Sequence, residues 1–352
     1  MIVLQAPIQA LRKLFWCEGQ LRLRAGWRLI LHVFLWLGIP FLLTNLASVL
    51  ISPVLSSWMP DSGTLVLRIV GFVLTLIGAF VGTWIATRHL DHRLFVDLGF
   101  YIDRRWWTDL CFGLILGGFL MGLIFVAEWM LGWIDVVGQF QVSSGGLPFW
   151  LELIGPLVVF IVVGITEELL SRGYQLRNLA EGLNFRSIGP TASLLIGWLL
   201  SSTLFSVLHV FNPNSSLVST ANLILAGLFF GLGYILTGSL AIPIGLHIMW
   251  NFFQGNVFGF PVSGNDFTSA TVIAVEQGGP ELWTGGAFGP EAGLIGVMAM
   301  LLGSVLTLAW IYWRHGELRL RSELSIYRRP MGIGATKSSD FGDTIEDGMY
   351  EQ

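Results

Sequence analysis

Four side chains able to handle protons sit inside stretches that are otherwise almost wholly apolar. Glu167 and Glu168 lie in ITEELLSRGYQL, His209 in TLFSVLHVF and His247 in GSLAIPIGLHIMWNFF, with Arg172 and Asn251 beside them. On a helix, residues four apart share a face. Glu168 and Arg172 then pair in the favourable Glu-before-Arg order, and Phe205 with His209 and His247 with Asn251 form matching i,i+4 sets. Glu167 is rotated roughly 100° from Glu168, so it need not join that ion pair. An unpaired carboxylate, two imidazoles and a carboxamide pointed into one polar cavity have the makeup of a water-activating hydrolytic site. Glu167 would act as general base, one histidine would share or orient the water, and the His247/Asn251 pair would donate to an oxyanion. Glu167, His209 and His247 are also adequate zinc ligands. HExxH is absent and Asn251 is a poor ligand, so a metal-free site with no cofactor is the expectation.

The elements that must position these residues are set by composition. Of 352 residues 54% are hydrophobic and 12% charged, where soluble domains average about 25% charged. Mean hydropathy is +0.71. Such a chain cannot cover itself with polar surface in water, which excludes a soluble globular enzyme and leaves an all-α, multi-span membrane bundle. A net charge of −4 gives no reason to expect a nucleic-acid partner. Cys17 and Cys111 form neither a disulfide framework nor a thiolate metal set. Eight stretches reach the roughly 20 residues a bilayer requires, near 29–51, 64–87, 110–134, 148–171, 190–210, 217–237, 239–256 and 291–313. The sixth and seventh are separated by Gly238 alone, which demands a tight turn.

Basic residues orient the bundle. They cluster before the first span, between the second and third, after Glu168 in the fourth, and after the last; the connections 52–63, 135–147, 211–216 and 257–290 hold no Lys or Arg. By the positive-inside rule both termini are cytoplasmic. Residues 1–28 read as a cytoplasmic or interfacial amphipathic N-terminus, 29–316 as the bundle, and 317–352 as a mostly disordered cytoplasmic tail. The segment 88–109 reads as interfacial, and the Gly-rich segment 257–290, with its aromatic residues, as a cap. His32, His89, His92 and His315 are expected at the interface. Arg68, Glu128 and Glu152 are expected to snorkel, and Gly113, Gly117, Gly118, Gly122, Gly227 and Gly231 to let helices approach closely. One tension is built in. A fourth span running inward over 148–171 puts Glu167 near its inner end, while His209 falls near the opposite end of the fifth.

EELLSRG, FSVLH and HIMWN, in that order on successive polar-bearing spans and with TGSLAIPI before the last, resemble the EExxxR, FxxxH and HxxxN motifs of the CPBP family of intramembrane proteases. That family includes CAAX prenyl endopeptidases and bacteriocin-processing or immunity homologues. The resemblance covers 165–255, with a looser match at Arg104–Asp109. It implies a glutamate-dependent endopeptidase in which Glu167 and His209 activate water, His247 and Asn251 form the oxyanion site, and Glu168, Arg172 and Phe205 support them. Ser171 stands where the family usually has an apolar or aromatic residue.

The expected function is therefore hydrolysis of a peptide bond in a membrane-associated peptide or protein, near the cytoplasmic half of the bilayer. The setting is a multi-pass protein among membrane lipids, in a bacterial plasma membrane. The alternative is a non-catalytic scaffold or immunity-type protein that uses the same polar cavity for binding. A transporter would need an inverted repeat that the sequence lacks.

Overall fold

In a hydrocarbon layer no water can satisfy backbone N–H and C=O groups, so apolar segments of this length close their hydrogen bonds internally as helices. The computed structural model describes residues 12–58, 63–142, 148–267 and 270–328. Its long elements are α1 (Ala25–Trp58), α2 (Gly63–Ile85), α3 (Arg104–Met130), α4 (Phe149–Gly182), α5 (Gly189–Val207), α6 (Leu217–Thr237), α7 (Ala241–Phe252) and α8 (Leu294–His315). Among the described residues seven of these are long and apolar enough to cross a membrane. The exception is α7, with 12 helical residues that a wider π turn at Phe253–Val257 extends. The bundle is a polytopic helical one, as its composition requires.

Local chemistry sets the helix ends. Asp103 caps α3 by accepting from the Trp106 N–H at 2.8 Å. Ser216 and Ser219 form a reciprocal capping box at the start of α6, which satisfies orphan N–H groups. Gly238, at φ +74°, ends α6 and makes the tight turn into α7. The Leu240 N–H then donates to Gly99 O at 3.1 Å, tying that turn to the connection between α2 and α3.

Several elements differ from the sequence expectation. α4 does not stop near 171 but runs on to Gly182, through a π turn at Leu169–Leu176 whose eight residues are all buried. The polar residues of that turn face other helices, not the membrane boundary that their polarity suggested. Two antiparallel ribbons accompany the helices. A short one pairs Trp16–Cys17 (β1) with Arg22–Leu23 (β2), and a longer one pairs Ile134–Val142 (β3) with Ala270–Gln277 (β4). The second ribbon thus joins the α3–α4 connection to the segment expected to be a cap.

Glu128 does not snorkel. It is fully buried and accepts from Gln277 Nε2 on β4 at 2.7 Å. His32 is not interfacial either; it is buried, stacked on Tyr174 with ring centroids 3.6 Å apart and bonded to Thr83 at 3.0 Å.

Residues 317–328, expected to begin a disordered tail, pack on the bundle. Leu324 and Ser325 are buried, Arg321 N–H donates to Ile235 O at 2.8 Å, and Asn184 donates to Ser325 O at 3.1 Å. The rest of the tail, and most of the proposed N-terminal amphipathic helix, lie outside the described residues. At this same end Glu181 is fully buried and accepts from Arg22 at 2.8 Å and from Arg93, with Arg177 and Arg28 at 3.6 and 3.8 Å. Arg28 also pairs with Asp91 at 2.5 Å. Arg22, Arg28 and Arg93 are buried because a carboxylate is buried with them.

Candidate active site

The continuation of α4 places Glu167 and Glu168 in mid-helix, and one step of rotation gives them different surroundings. Glu168 is fully buried; its Oε1 accepts from Arg172 NH1 at 2.8 Å and from His247 Nδ1 at 2.8 Å. Arg172 donates through NH2 to Gly227 O at 2.8 Å, and its guanidinium lies 4.8 Å from the centre of the Phe205 ring. Glu167 stays outside this network, with 26% of its side chain exposed into a cavity.

Both histidines turn the same atom toward Glu167. His209 lies just past the end of α5, held by Nδ1 to Phe205 O at 2.8 Å. A carbonyl only accepts, so Nδ1 carries the proton and Nε2 is left facing the cavity. That Nε2 is 4.0 Å from Glu167 Oε2. His247, with Nδ1 given to Glu168, places its Nε2 3.9 Å from the same oxygen. These separations are too long for direct hydrogen bonds. One water bonded to the carboxylate and to an imidazole at about 2.8 Å each would bridge them with an angle of about 90° at its oxygen. Asn251, one turn beyond His247, lines the same cavity.

α7 holds His247 and Asn251 in place by packing its backbone directly on α3. A Cβ at Gly113 would lie 2.5 Å from Ile242 O, and one at Gly117 2.5 Å from Leu246 O. Gly245 of α7 faces back onto Leu110 O in the same way. Gly227 and Gly231 make comparable room against Ser202 and against Trp198 beside Arg172. Gly122 does not: its nearest contact is Phe258 at 4.0 Å.

The cavity measures about 390 Å³. Phe160, Phe205, Phe230 and Trp250 give it aromatic walls, and Val262, Ser263, Asn265 and Phe267 close one side. Part of the 257–290 segment thus covers the site, as a cap would. It is pinned by Glu291, whose Oε1 accepts from Ser263 N–H and from Ser263 Oγ, both at 2.6 Å, while Oε2 accepts from Gln254 Nε2. Gln254 also donates to Pro261 O at 2.6 Å. Burial pushes the Glu291 carboxyl above its usual range, against these hydrogen bonds, which pull it down.

The structure brings together Glu167, His209, His247 and Asn251, with Glu168, Arg172 and Phe205 directly behind them. The tension over depth disappears because Glu167 lies in the middle of a 34-residue helix, not at its inner end. The cavity's loop-borne wall comes from Asn212 and 262–267, in connections that hold no Lys or Arg. Ser171, the departure from the family motif, is 1% exposed and lines the cavity.

Glu291, Ser263, Asn212 and Trp36 are cavity residues that the sequence does not reveal. Glu291 in GPEAG reads as the polar start of the last span, and its partners lie far away in sequence. Among the described residues, no group of three or more His, Cys, Asp or Glu side chains has a geometry that would hold a metal ion.

Residues 148–253 match the family model of Rce1-like proteins, type II CAAX prenyl endopeptidases. The matched segment begins just before α4 and ends just after α7, so it contains every polar residue of the three motifs. Searches of curated proteins and of solved structures find no match to the chain. With the motifs, the shared cavity and the family match on the same helices, residues 148–253 of this multi-pass helical bundle are similar to the Rce1-like, CAAX-protease type of intramembrane protease.

Proposed function

We propose that the chain is an intramembrane endopeptidase in which Glu167 and His209 activate a water molecule, without a metal, against a peptide bond in a membrane-associated polypeptide. The observation that carries this reading is the convergence of two imidazole Nε2 atoms on one Glu167 oxygen, at 3.9 and 4.0 Å. A carboxylate with a buried ion pair behind it and two imidazoles ahead of it is suited to moving a proton, and a general base of this kind contributes typically 10²–10⁴-fold.

In the proposed reaction Glu167 takes a proton from the water as its oxygen attacks the carbonyl carbon. The resulting oxyanion receives hydrogen bonds from Asn251 Nδ2 and, with the His247 ring protonated, from its Nε2. Each such donor is worth about 3–4 kcal/mol when aimed at the transition state. Glu168 holds His247 Nδ1 and so fixes the ring's orientation, while Arg172 pairs with Glu168 and holds it in place. As the C–N bond breaks, the proton held between Glu167 and His209 passes to the leaving amine. Membrane lipids surround the bundle, and a bacterial plasma membrane is the proposed location.

The test compares protein N-termini in membranes of cells expressing the wild type or Glu167→Gln at matched levels. Termini found only with the wild type identify both the activity and its substrate. Identical profiles, with both proteins folded and both rescuing a deletion phenotype, would favour a scaffold role. Loss of the wild-type termini on chelation, with recovery in zinc, would put a metal at Glu167, His209 and His247 instead.

A further inference from the structure

The two ends of the bundle differ in charge, and the cavity belongs to one of them. Among the described residues, every Lys and Arg except Arg172, buried inside the bundle, and Arg68 lies at the end formed by the N-terminus, the α2–α3 and α4–α5 connections and the C-terminal segment. The opposite end is acidic, with Asp135, Asp266, Glu276, Glu281 and Glu291. A bias this complete places the basic end in the cytoplasm.

Among the described residues, none from the basic connections lines the cavity. Its wall takes Asn212 from the α5–α6 turn, Val262, Ser263, Asn265 and Phe267 from the segment after α7, and Glu291 from the short turn just before α8. His209 lies beyond the last residue of α5 at this end. Glu167 is separated from the cytoplasmic end of α4 by the 15 residues to Gly182, about 22 Å at 1.5 Å per residue. Among the described residues, the only charged side chains that line the cavity besides the histidines are two carboxylates, Glu167 and Glu291, with no Lys or Arg to receive a carboxyl terminus.

From this geometry we infer that the catalytic cavity faces the non-cytoplasmic side. Its substrate is an internal apolar segment, next to the membrane on that side, of an anchored or exported polypeptide. The substrate half of this inference rests on the endopeptidase reading; the sidedness does not. The aromatic walls bury apolar side chains flanking the scissile bond, whereas a terminal carboxylate would sit beside Glu291 without a cation. A polypeptide confined to the cytoplasm would have to pass the arginine-rich end and the mostly buried stretch from Glu181 to Glu168.

Single cysteines in the full chain test the sidedness, in a background with Cys17→Ser and Cys111→Ser. Glu281→Cys marks the cavity end and Glu317→Cys the basic end; both positions are exposed. In intact cells a membrane-impermeant maleimide should label Glu281→Cys at least tenfold more than Glu317→Cys, and permeabilisation should equalise them. The reverse pattern overturns the inference.

The Glu167-dependent termini from the membrane comparison test the substrate class. Positions within extracytoplasmic, apolar, internal segments support it, and positions in cytoplasmic segments or at carboxyl-terminal tripeptides overturn it. If no Glu167-dependent terminus appears, the substrate assignment falls together with the peptidase activity, and the labelling still decides which way the cavity faces.

Discussion

Glu167 and Glu168 are neighbours in sequence and opposites in environment, and a pair of substitutions should separate them. Glu168 has no exposed surface and holds both Arg172 and His247. Glu168→Ala leaves Arg172 as an uncompensated buried charge and should cost about 3–5 kcal/mol, visible as a large drop in melting temperature in detergent micelles. Glu167, a quarter exposed and outside that ion pair, should tolerate Gln with little change in melting while proteolysis falls by at least about 100-fold. Equal melting temperatures for the two variants would contradict this division. The division was legible in the sequence, because i,i+4 spacing put Glu168 with Arg172 and helical rotation set Glu167 apart. Glu291 was not legible: its partners, Ser263 and Gln254, lie 28 and 37 residues away, and no local spacing announces them.

At the scale of elements, the site depends on how closely α3 approaches α7. Gly117→Ala places a Cβ against Leu246 O and Trp250 N at 2.5 and 2.7 Å. The overlap should cost about 1–3 kcal/mol and, by shifting His247 and Asn251, reduce turnover more than substrate binding. Gly122→Ala, with nothing nearer than 4.0 Å, should be neutral in both melting and kinetics. The glycine pattern was readable in sequence, but the face each glycine presents was not, and Gly122 shows the difference.

The cap offers a second prediction at this scale. Glu291→Ala removes the acceptor of Ser263 and Gln254 and should cost about 1–3 kcal/mol. The loss should appear as faster amide hydrogen exchange over 261–265, with α3 unchanged. Helix existence was legible from apolar length alone. The true end of α4 and the β3–β4 ribbon were not, because the polar π turn is buried by neighbours and the ribbon is made by pairing residues more than a hundred positions apart.

Across the whole molecule, the basic end is held by charge and the opposite end walls the candidate site. Glu181 gathers four arginines from the N-terminal ribbon, the start of α1, the α2–α3 connection and α4. Arg22 also stacks 3.4 Å over the Tyr327 ring of the C-terminal segment. Glu181→Ala should therefore destabilise the whole bundle by about 3–5 kcal/mol, while Tyr327→Ala should cost about 0.5–2 kcal/mol; melting curves of the two variants check the order. The asymmetry of charge was plain in the sequence. What it could not show is that the cavity's loop-borne wall comes from connections without Lys or Arg, since that requires knowing where α4 ends and which connection folds over the site.

The central claim, that Glu167 activates water in this cavity, is tested most directly with purified protein in lipid nanodiscs, a mass-encoded peptide library and ¹⁸O-labelled water. The wild type should release products carrying one ¹⁸O atom in each new carboxyl group, and Glu167→Gln, at an unchanged melting temperature, should do so at least about 100-fold more slowly. Cleavage by Glu167→Gln at the wild-type rate would contradict the claim.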